Sequence, residues 1–228
     1  MNRSEIAIMA REYLKNSPHG TMNFHNGQII VLPTVLPPDI NTSELAEVSE
    51  ALVRDFVEQN QQCRVFEMGT GTGGPILSVA KIPGVTASAA DIVPMAVLNA
   101  QANAIWWGVK CDIYQSDLFD NVPNGQFNLI IWNIPWLSED PGEIEDIHFK
   151  GGFDPGYKSL WRFLNQCNDY RLAPGGQILL AVDRLFCNRD AVHNYIDKAG
   201  FNMEVFREAT NMWAGMELQL DFLLLSRR

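Results

Sequence analysis

Residues 64–74 read Arg64-Val65-Phe66-Glu67-Met68-Gly69-Thr70-Gly71-Thr72-Gly73-Gly74. The apolar strand Val65–Met68 runs straight into a glycine cluster, and the helix that follows is predicted over Pro75–Ala80. Glycines let the backbone turn sharply and approach a ligand closely, and the next helix offers its unpaired N-terminal amides. The string satisfies G-x-G-x-x-G, which dinucleotide sites share with other nucleoside binders; its place between strand and helix marks it as a ligand loop. Asp91 ends the second strand, about 20 residues on, where an acid takes ribose hydroxyls. Glu67 puts a carboxylate just before the first glycine, which suits a cationic ligand better than a pyrophosphate. The loop has no basic residue to meet the phosphates of NAD.

Outward from this loop, short apolar strands alternate with helical stretches. Strands are predicted at Arg64–Met68, Val85–Ala90, Asp112–Tyr114, Phe127–Trp132 and Gln177–Val182, and further helices at Pro94–Trp106, Tyr157–Tyr170 and Arg189–Ala199. Such βαβα order implies a doubly wound, Rossmann-like α/β fold with a parallel sheet. At the end of the chain Leu218, Leu220, Phe222 and Leu224 alternate with Glu217, Gln219 and Asp221. That spacing predicts a strand over Glu217–Leu225, joined to Met203–Phe206 as a hairpin and antiparallel to the rest of a seven-stranded sheet.

Before the core, Ile6, Met9, Ala10, Tyr13 and Leu14 predict an amphipathic helix over Ser4–Lys15. Thr21–Phe24 and Gln28–Leu32 predict two strands around an Asn26-Gly27 turn. Pro33, Pro37 and Pro38 force an extended segment, and Asn41 with Glu44 three residues later predicts a helix cap. Residues 1–40 read as a helix-and-hairpin lid and residues 41–228 as the ligand-binding domain.

The composition bounds the function. Lys+Arg 17 against Asp+Glu 27 gives a net charge of −10, with a pI near 4.8 and a mean hydropathy of −0.08. Binding to nucleic acid or to an anionic membrane is driven by Lys and Arg on phosphates, so this balance argues against both as partners. The charged N-terminus is unlike a secretory leader, and no apolar run reaches the ~20 residues of a membrane span, which predicts a cytoplasmic protein. Cys63, Cys111, Cys167 and Cys187 are scattered, and no Cys/His spacing suggests a metal site.

Asn133-Ile134-Pro135-Trp136 follows the very apolar fourth strand, at the carboxyl edge where α/β sheets bind ligands. With this segment assembled, the chain resembles class I S-adenosylmethionine-dependent methyltransferases, and within them the amino-methylating group that includes release-factor glutamine methyltransferases and adenine amino methyltransferases. The resemblance runs from about Val31 to Val182. It rests on Glu67–Gly73, Asp91-Ile92, Ser116-Asp117-Leu118-Phe119, Asn133–Trp136, Asn41-Thr42-Ser43-Glu44-Leu45 and Leu172-Ala173-Pro174-Gly175-Gly176. It implies S-adenosyl-L-methionine as cofactor. Gly69, Thr70, Gly71 and Gly73 would line its methionine and ribose, with Glu67 beside them and Thr42 near the methionine end. Asp91 would hold the ribose, Ile92 and Leu118 would flank the adenine, and Asp117 would accept from the adenine amino group. Asn133 and the main chain at Ile134 would hold the nitrogen that receives the methyl group, with Pro135 fixing the turn and Trp136 stacking beside it.

The chemistry suits these residues. A nitrogen that attacks a sulfonium in line still carries N–H groups; the Asn133 oxygen and the Ile134 carbonyl can each accept one and so aim the lone pair. Positive charge developing on that nitrogen strengthens both bonds in the transition state. The tetrapeptide departs from the family's usual two prolines and Tyr or Phe, and Asp39 stands near where the family has an arginine. The substrate is therefore expected to be a small molecule or short peptide. Tyr157, at the start of a helix at the same edge, is a further candidate for substrate contact, and His148 a weaker one. Trp106, Trp107, Trp161 and Trp213 are expected in the core or the pocket wall. Three other readings stand beside nitrogen methylation. The first is a cyclase that closes the cofactor's own aminobutyrate chain with release of methylthioadenosine, as azetidine-2-carboxylate synthases do. The others are an NAD-dependent oxidoreductase and a catalytically silent binding subunit.

Overall fold

The stretch quoted first forms the centre of the sheet. In the computed structural model, which describes residues 19–25, 27–140, 151–213 and 216–228, it is strand β3, Cys63–Met68, with every residue but Arg64 buried. The predicted helix Ser4–Lys15, Asn26 of the turn, and His148 lie outside the described residues. β3 is flanked by β4, Val85–Asp91, and β6, Phe127–Asn133, both parallel to it. β5, Cys111–Gln115, adds beyond β4, and β7, Leu172–Asp183, pairs parallel to β6. β9, Met216–Arg227, lies antiparallel between β7 and β8, Phe201–Trp213. The order is β5-β4-β3-β6-β7-β9-β8, a seven-stranded sheet in which β9 alone opposes the others. As the outer edge, β8 carries Met203, Val205 and Phe206 exposed to solvent.

Alternation along the strands sorts the side chains into two cores. Val65, Ile131, Leu179 and Phe222 face one side, with Leu45 and Val48 of α1 (Ile40–Asn60), Ile76 and Leu77 of α2 (Gly74–Val79), and Ala104 of α3 (Pro94–Trp107). Phe66, Ile130, Leu180 and Leu223 face the other, with Leu160 and Phe163 of α4 (Lys158–Gln166), and Val192 and Ile196 of α5 (Arg189–Lys198). Helices on both faces of a mostly parallel sheet make this the doubly wound α/β fold the sequence predicts.

Local departures have local causes. The cap of α1 is Asp39, not Asn41: its carboxylate accepts from the Thr42 amide at 2.9 Å and the Thr42 hydroxyl at 3.0 Å. Asn41 is buried in the first turn, where its side chain accepts from Asn211 of β8. β7 starts at Leu172, which pairs with Phe127, and the next pair is Leu129 with Gln177, so residues 173–176 bulge around the positive φ of Gly175. Trp106 is 57% exposed and Trp161 is on the surface, so both leave the core expected for them. Trp107 is half-buried against Phe24, and the Trp213 side chain lies outside the described residues. The hairpin is β1 (Gly20–Phe24) with β2 (Gly27–Val31), and its Phe24, Ile29 and Val31 pack on Ala46 of α1 and Trp107 of α3.

Candidate active site

Strand order reverses between β3 and β6, and in open α/β sheets the crevice beyond the carboxyl ends at such a reversal receives ligands. The glycine loop leaves β3 there. Asn133 ends β6 one residue beyond Trp132, which is itself in register with Met68.

Gly69, Gly71 and Gly73 all have positive φ, at 63°, 54° and 86°. Gly73 also lies against α3: a Cβ there would sit 3.1 Å from the Cβ of Ala100. A Cβ on Gly71 would meet nothing within 4 Å, so the loop is closed at Gly73 and open at Gly71. Glu67 lies under the loop rather than in front of it. Its buried carboxylate accepts from the Thr70 hydroxyl at 2.7 Å and from the Ile76 amide at 3.3 Å. Burial pushes its pKa up to about 8, against the pull of those hydrogen bonds, and nearby Asp91 adds to the rise.

Asp91 is where the sequence predicts it, ending β4, and it ties the site together. One carboxylate oxygen accepts from the Gly71 amide at 2.9 Å and the other from the Val93 amide at 2.9 Å. Next to it, Ile92, Gln115, Ser116, Asp117 and Asn121 line an open cleft, with Ile92 56% exposed. Leu118 is buried at a positive φ of 49°. Asp117 pairs with Arg162 of α4 at 3.0 Å, and the same guanidinium reaches Asp120 at 3.2 Å. That partner was invisible in the sequence, since it lies 45 residues away on another element. Thr42 spends its hydroxyl on the Asp39 cap, where it also accepts from the Asp39 amide.

At the other side of the switch point Asn133 is exposed, Ile134 is buried in the core, and Pro135 and Trp136 are half-buried. The Trp136 indole N–H donates to the Asn133 amide oxygen at 3.2 Å, and its ring stacks on Phe186 at 6.2 Å and 3°. Phe186 follows β7 in a turn held by Asp183, which accepts from the Leu185 and Phe186 amides at 2.8 and 2.7 Å. An Asp at the end of a strand is a turn signal, but it does not say that the turn delivers a ring to Trp136. Tyr157, the candidate for substrate contact, lies behind the tetrapeptide. It is buried, its hydroxyl donates to the Trp136 carbonyl at 2.9 Å and accepts from the Asn188 amide at 2.8 Å, and burial raises its pKa. Its part is to hold the tetrapeptide loop against α5.

Similarity to known proteins gives the family and the fold. Residues 41–201 match the sequence profile of the methyltransferase small domain. A Methanocaldococcus jannaschii protein that bears the name protein N5-glutamine methyltransferase is 32% identical over 165 residues, covering 71% of this chain and 82% of that one. The release factor glutamine methyltransferase of Escherichia coli is 32% identical over 170 residues, and there the match spans 71% of this chain and 59% of the relative. Among solved structures, the Thermus thermophilus 16S rRNA N2 G1207 methyltransferase, in complex with AdoMet and guanosine, superposes with a TM-score of 0.60 at 18% identity. It covers 91% of this chain and 50% of that one. The ribosomal protein L11 methylase of Lactobacillus delbrueckii gives 0.59 at 20% identity, over 86% and 83%. These two likenesses establish the fold. The chain belongs to the methyltransferase small-domain family, within the class I S-adenosylmethionine-dependent methyltransferases. No helix of the described residues is long and apolar enough to cross a membrane.

Proposed function

We propose that this enzyme methylates a nitrogen of a small molecule or short peptide, using the carboxyl-edge crevice between the glycine loop and Asn133. The observation that carries this reading is the Asn133 amide oxygen, exposed at the switch point and oriented by the indole N–H of Trp136. The glycine loop fits the cofactor, because the outward side of Gly71 is clear of side chains while Thr70, Gly71 and Gly73 are backed by Glu67, Asp91 and Ala100. S-adenosylmethionine supplies a methyl group on positively charged sulfur. Gly69, Thr70, Gly71 and Gly73 would hold its methionine and ribose. Asp91, whose oxygens each have acceptor capacity beyond one amide, would take the ribose hydroxyls, and Ile92, Asp117 and Leu118 would border the adenine.

Asn133 then does the work of orientation. An amide oxygen has two lone pairs, so Oδ1 can accept an N–H from the substrate while keeping the indole bond. The Ile134 carbonyl is a second acceptor, pre-aimed because Pro135 restricts the residue before it. Both bonds tighten as the attacking nitrogen gains charge, the condition for lowering a barrier rather than only binding substrate. The flat face of the Trp136–Phe186 pair suits a planar group, such as the side-chain amide that the named relatives modify.

The test is product analysis by mass spectrometry. Pure enzyme is incubated with S-adenosylmethionine, first alone and then with glutamine-containing peptides and small amines. Methylated product with stoichiometric S-adenosylhomocysteine supports the proposal. Methylthioadenosine released from the cofactor alone would overturn nitrogen methylation in favour of ring closure at the same crevice.

A further inference from the structure

We infer that the N-terminal hairpin is a brace for the cofactor loop, acting through Asn103 of α3 and the ring of Phe24. The inference rests on the reading of the glycine loop as the cofactor cradle. Asn99 and Asn103, one turn apart on α3, are both fully buried. The Asn103 oxygen accepts from the Ile30 amide at 2.8 Å and the Asn99 oxygen accepts from the Leu32 amide at 2.7 Å. Both side-chain amides donate back to the Ile30 carbonyl at 2.7 Å. The exit of the hairpin therefore pairs with two asparagines much as it would with another strand. The second donor of Asn103 reaches forward to the Thr72 carbonyl at 2.9 Å, between Gly71 and Gly73. One buried amide thus spans the hairpin and the loop, with both its donors in use.

Phe24 makes an independent connection. Its ring occupies the space beside Gly74: a Cβ there would come within 2.6 Å of the ring edge. The loop is held at Thr72 by a hydrogen bond and at Gly74 by an aromatic wall, while the outward side of Gly71 stays clear. Glycine loops lose more conformational freedom on ordering than any others, so external supports that order them in advance strengthen ligand binding. By linkage, what the hairpin does for the cofactor, the cofactor does for the hairpin.

Calorimetric titration with S-adenosylhomocysteine tests the brace in wild type, Asn103→Ala, Phe24→Ala and Phe24→Leu. Affinity should fall roughly tenfold in the two alanine variants. Phe24→Leu, which keeps an apolar wall, should recover most of the loss, and turnover at saturating cofactor should stay unchanged. A second measurement needs no variant: S-adenosylhomocysteine should slow hydrogen exchange at the Ile30 and Leu32 amides more than at the amides of edge strand β8. Folded alanine variants with wild-type affinity, or equal slowing in hairpin and β8, would overturn the brace. A wild type that binds no S-adenosylhomocysteine overturns the cofactor reading itself, before any variant is compared.

Discussion

Replacing Asp91 separates the job its carboxylate holds in the fold from the one proposed for it in the complex. In the fold it accepts the Gly71 and Val93 amides, each at 2.9 Å. In the proposed complex it also takes the ribose hydroxyls. A hydrogen bond to a charged group contributes about 1.5–3 kcal/mol, so Asp91→Ala should weaken cofactor binding roughly 10- to 150-fold. The same change leaves two backbone N–H groups without their acceptor, at a cost of about 2–4 kcal/mol in all. For a chain of this size that corresponds to a melting temperature lower by roughly 5–15 °C. Asp91→Asn should fall between, since its amide can accept one of the two N–H groups but turns an NH₂ toward the other. Calorimetric titration with S-adenosylhomocysteine at 10 °C, where both variants stay folded, gives the affinity, and a thermal scan gives the stability. A lowered melting temperature with binding within twofold of wild type would refute the ribose role and leave Asp91 as a support of the loop alone.

Three further outcomes are expected. Glu67 is protonated in the fold up to about pH 8 but ionises near 4.5 when unfolded, so the stability it lends is complete below 4.5 and lost as pH rises toward 8. Denaturant titrations from pH 6 to 8.5 should show Glu67→Gln losing less stability with pH than wild type; a constant gap between the two would mean a carboxylate already ionised. Asn133→Ala should lower kcat by roughly 10²–10³, and Trp136→Phe, which keeps the stack on Phe186 but removes the indole donor, by only a few-fold, about 1 kcal/mol. Kinetics of the double variant should match Asn133→Ala; additive losses would show that Trp136 acts independently of Asn133. Tyr157→Phe leaves the Trp136 carbonyl and the Asn188 amide unpaired, so stability in urea should drop by about 2–4 kcal/mol in all; an unchanged midpoint would deny that tie.

The sequence carried most of the fold because the central strands are buried on both sides. Apolar runs such as Phe127–Trp132 have no alternative when both faces of a strand meet helices, and the structure extends that run by one residue, to Asn133. The alternation after Glu217 likewise announced the antiparallel strand. Boundaries set by side-chain chemistry were harder. Asp39 and Asn41 are equally good caps by type, and only the Thr42 hydroxyl returning to Asp39 decides between them. The candidate residues Asp91 and Asn133 were legible because they sit in strand-end motifs, and each does end its strand. Their supports were not, since Arg162, Phe186 and Tyr157 reach the site from distant elements. One signal was available and unused: Asn99 and Asn103, four apart on one face of a helix after Pro94 whose one other polar residue is Gln101, needed buried partners.

The long outer strand β8 has a colloidal consequence. It presents thirteen residues of open backbone edge, with Met203, Val205 and Phe206 uncovered. Near neutral pH a charge of −10 makes copies of the chain repel one another. Toward the isoelectric pH of about 4.8 that repulsion disappears, and edge can meet edge. Light scattering should therefore rise steeply as the buffer is acidified from pH 7 to 5, and Val205→Lys, which plants a charge on the strand, should suppress the rise; scattering unaffected by that lysine would place the sticky surface elsewhere. Net charge thus acts as a solvent-controlled cover for an edge that the described residues leave bare.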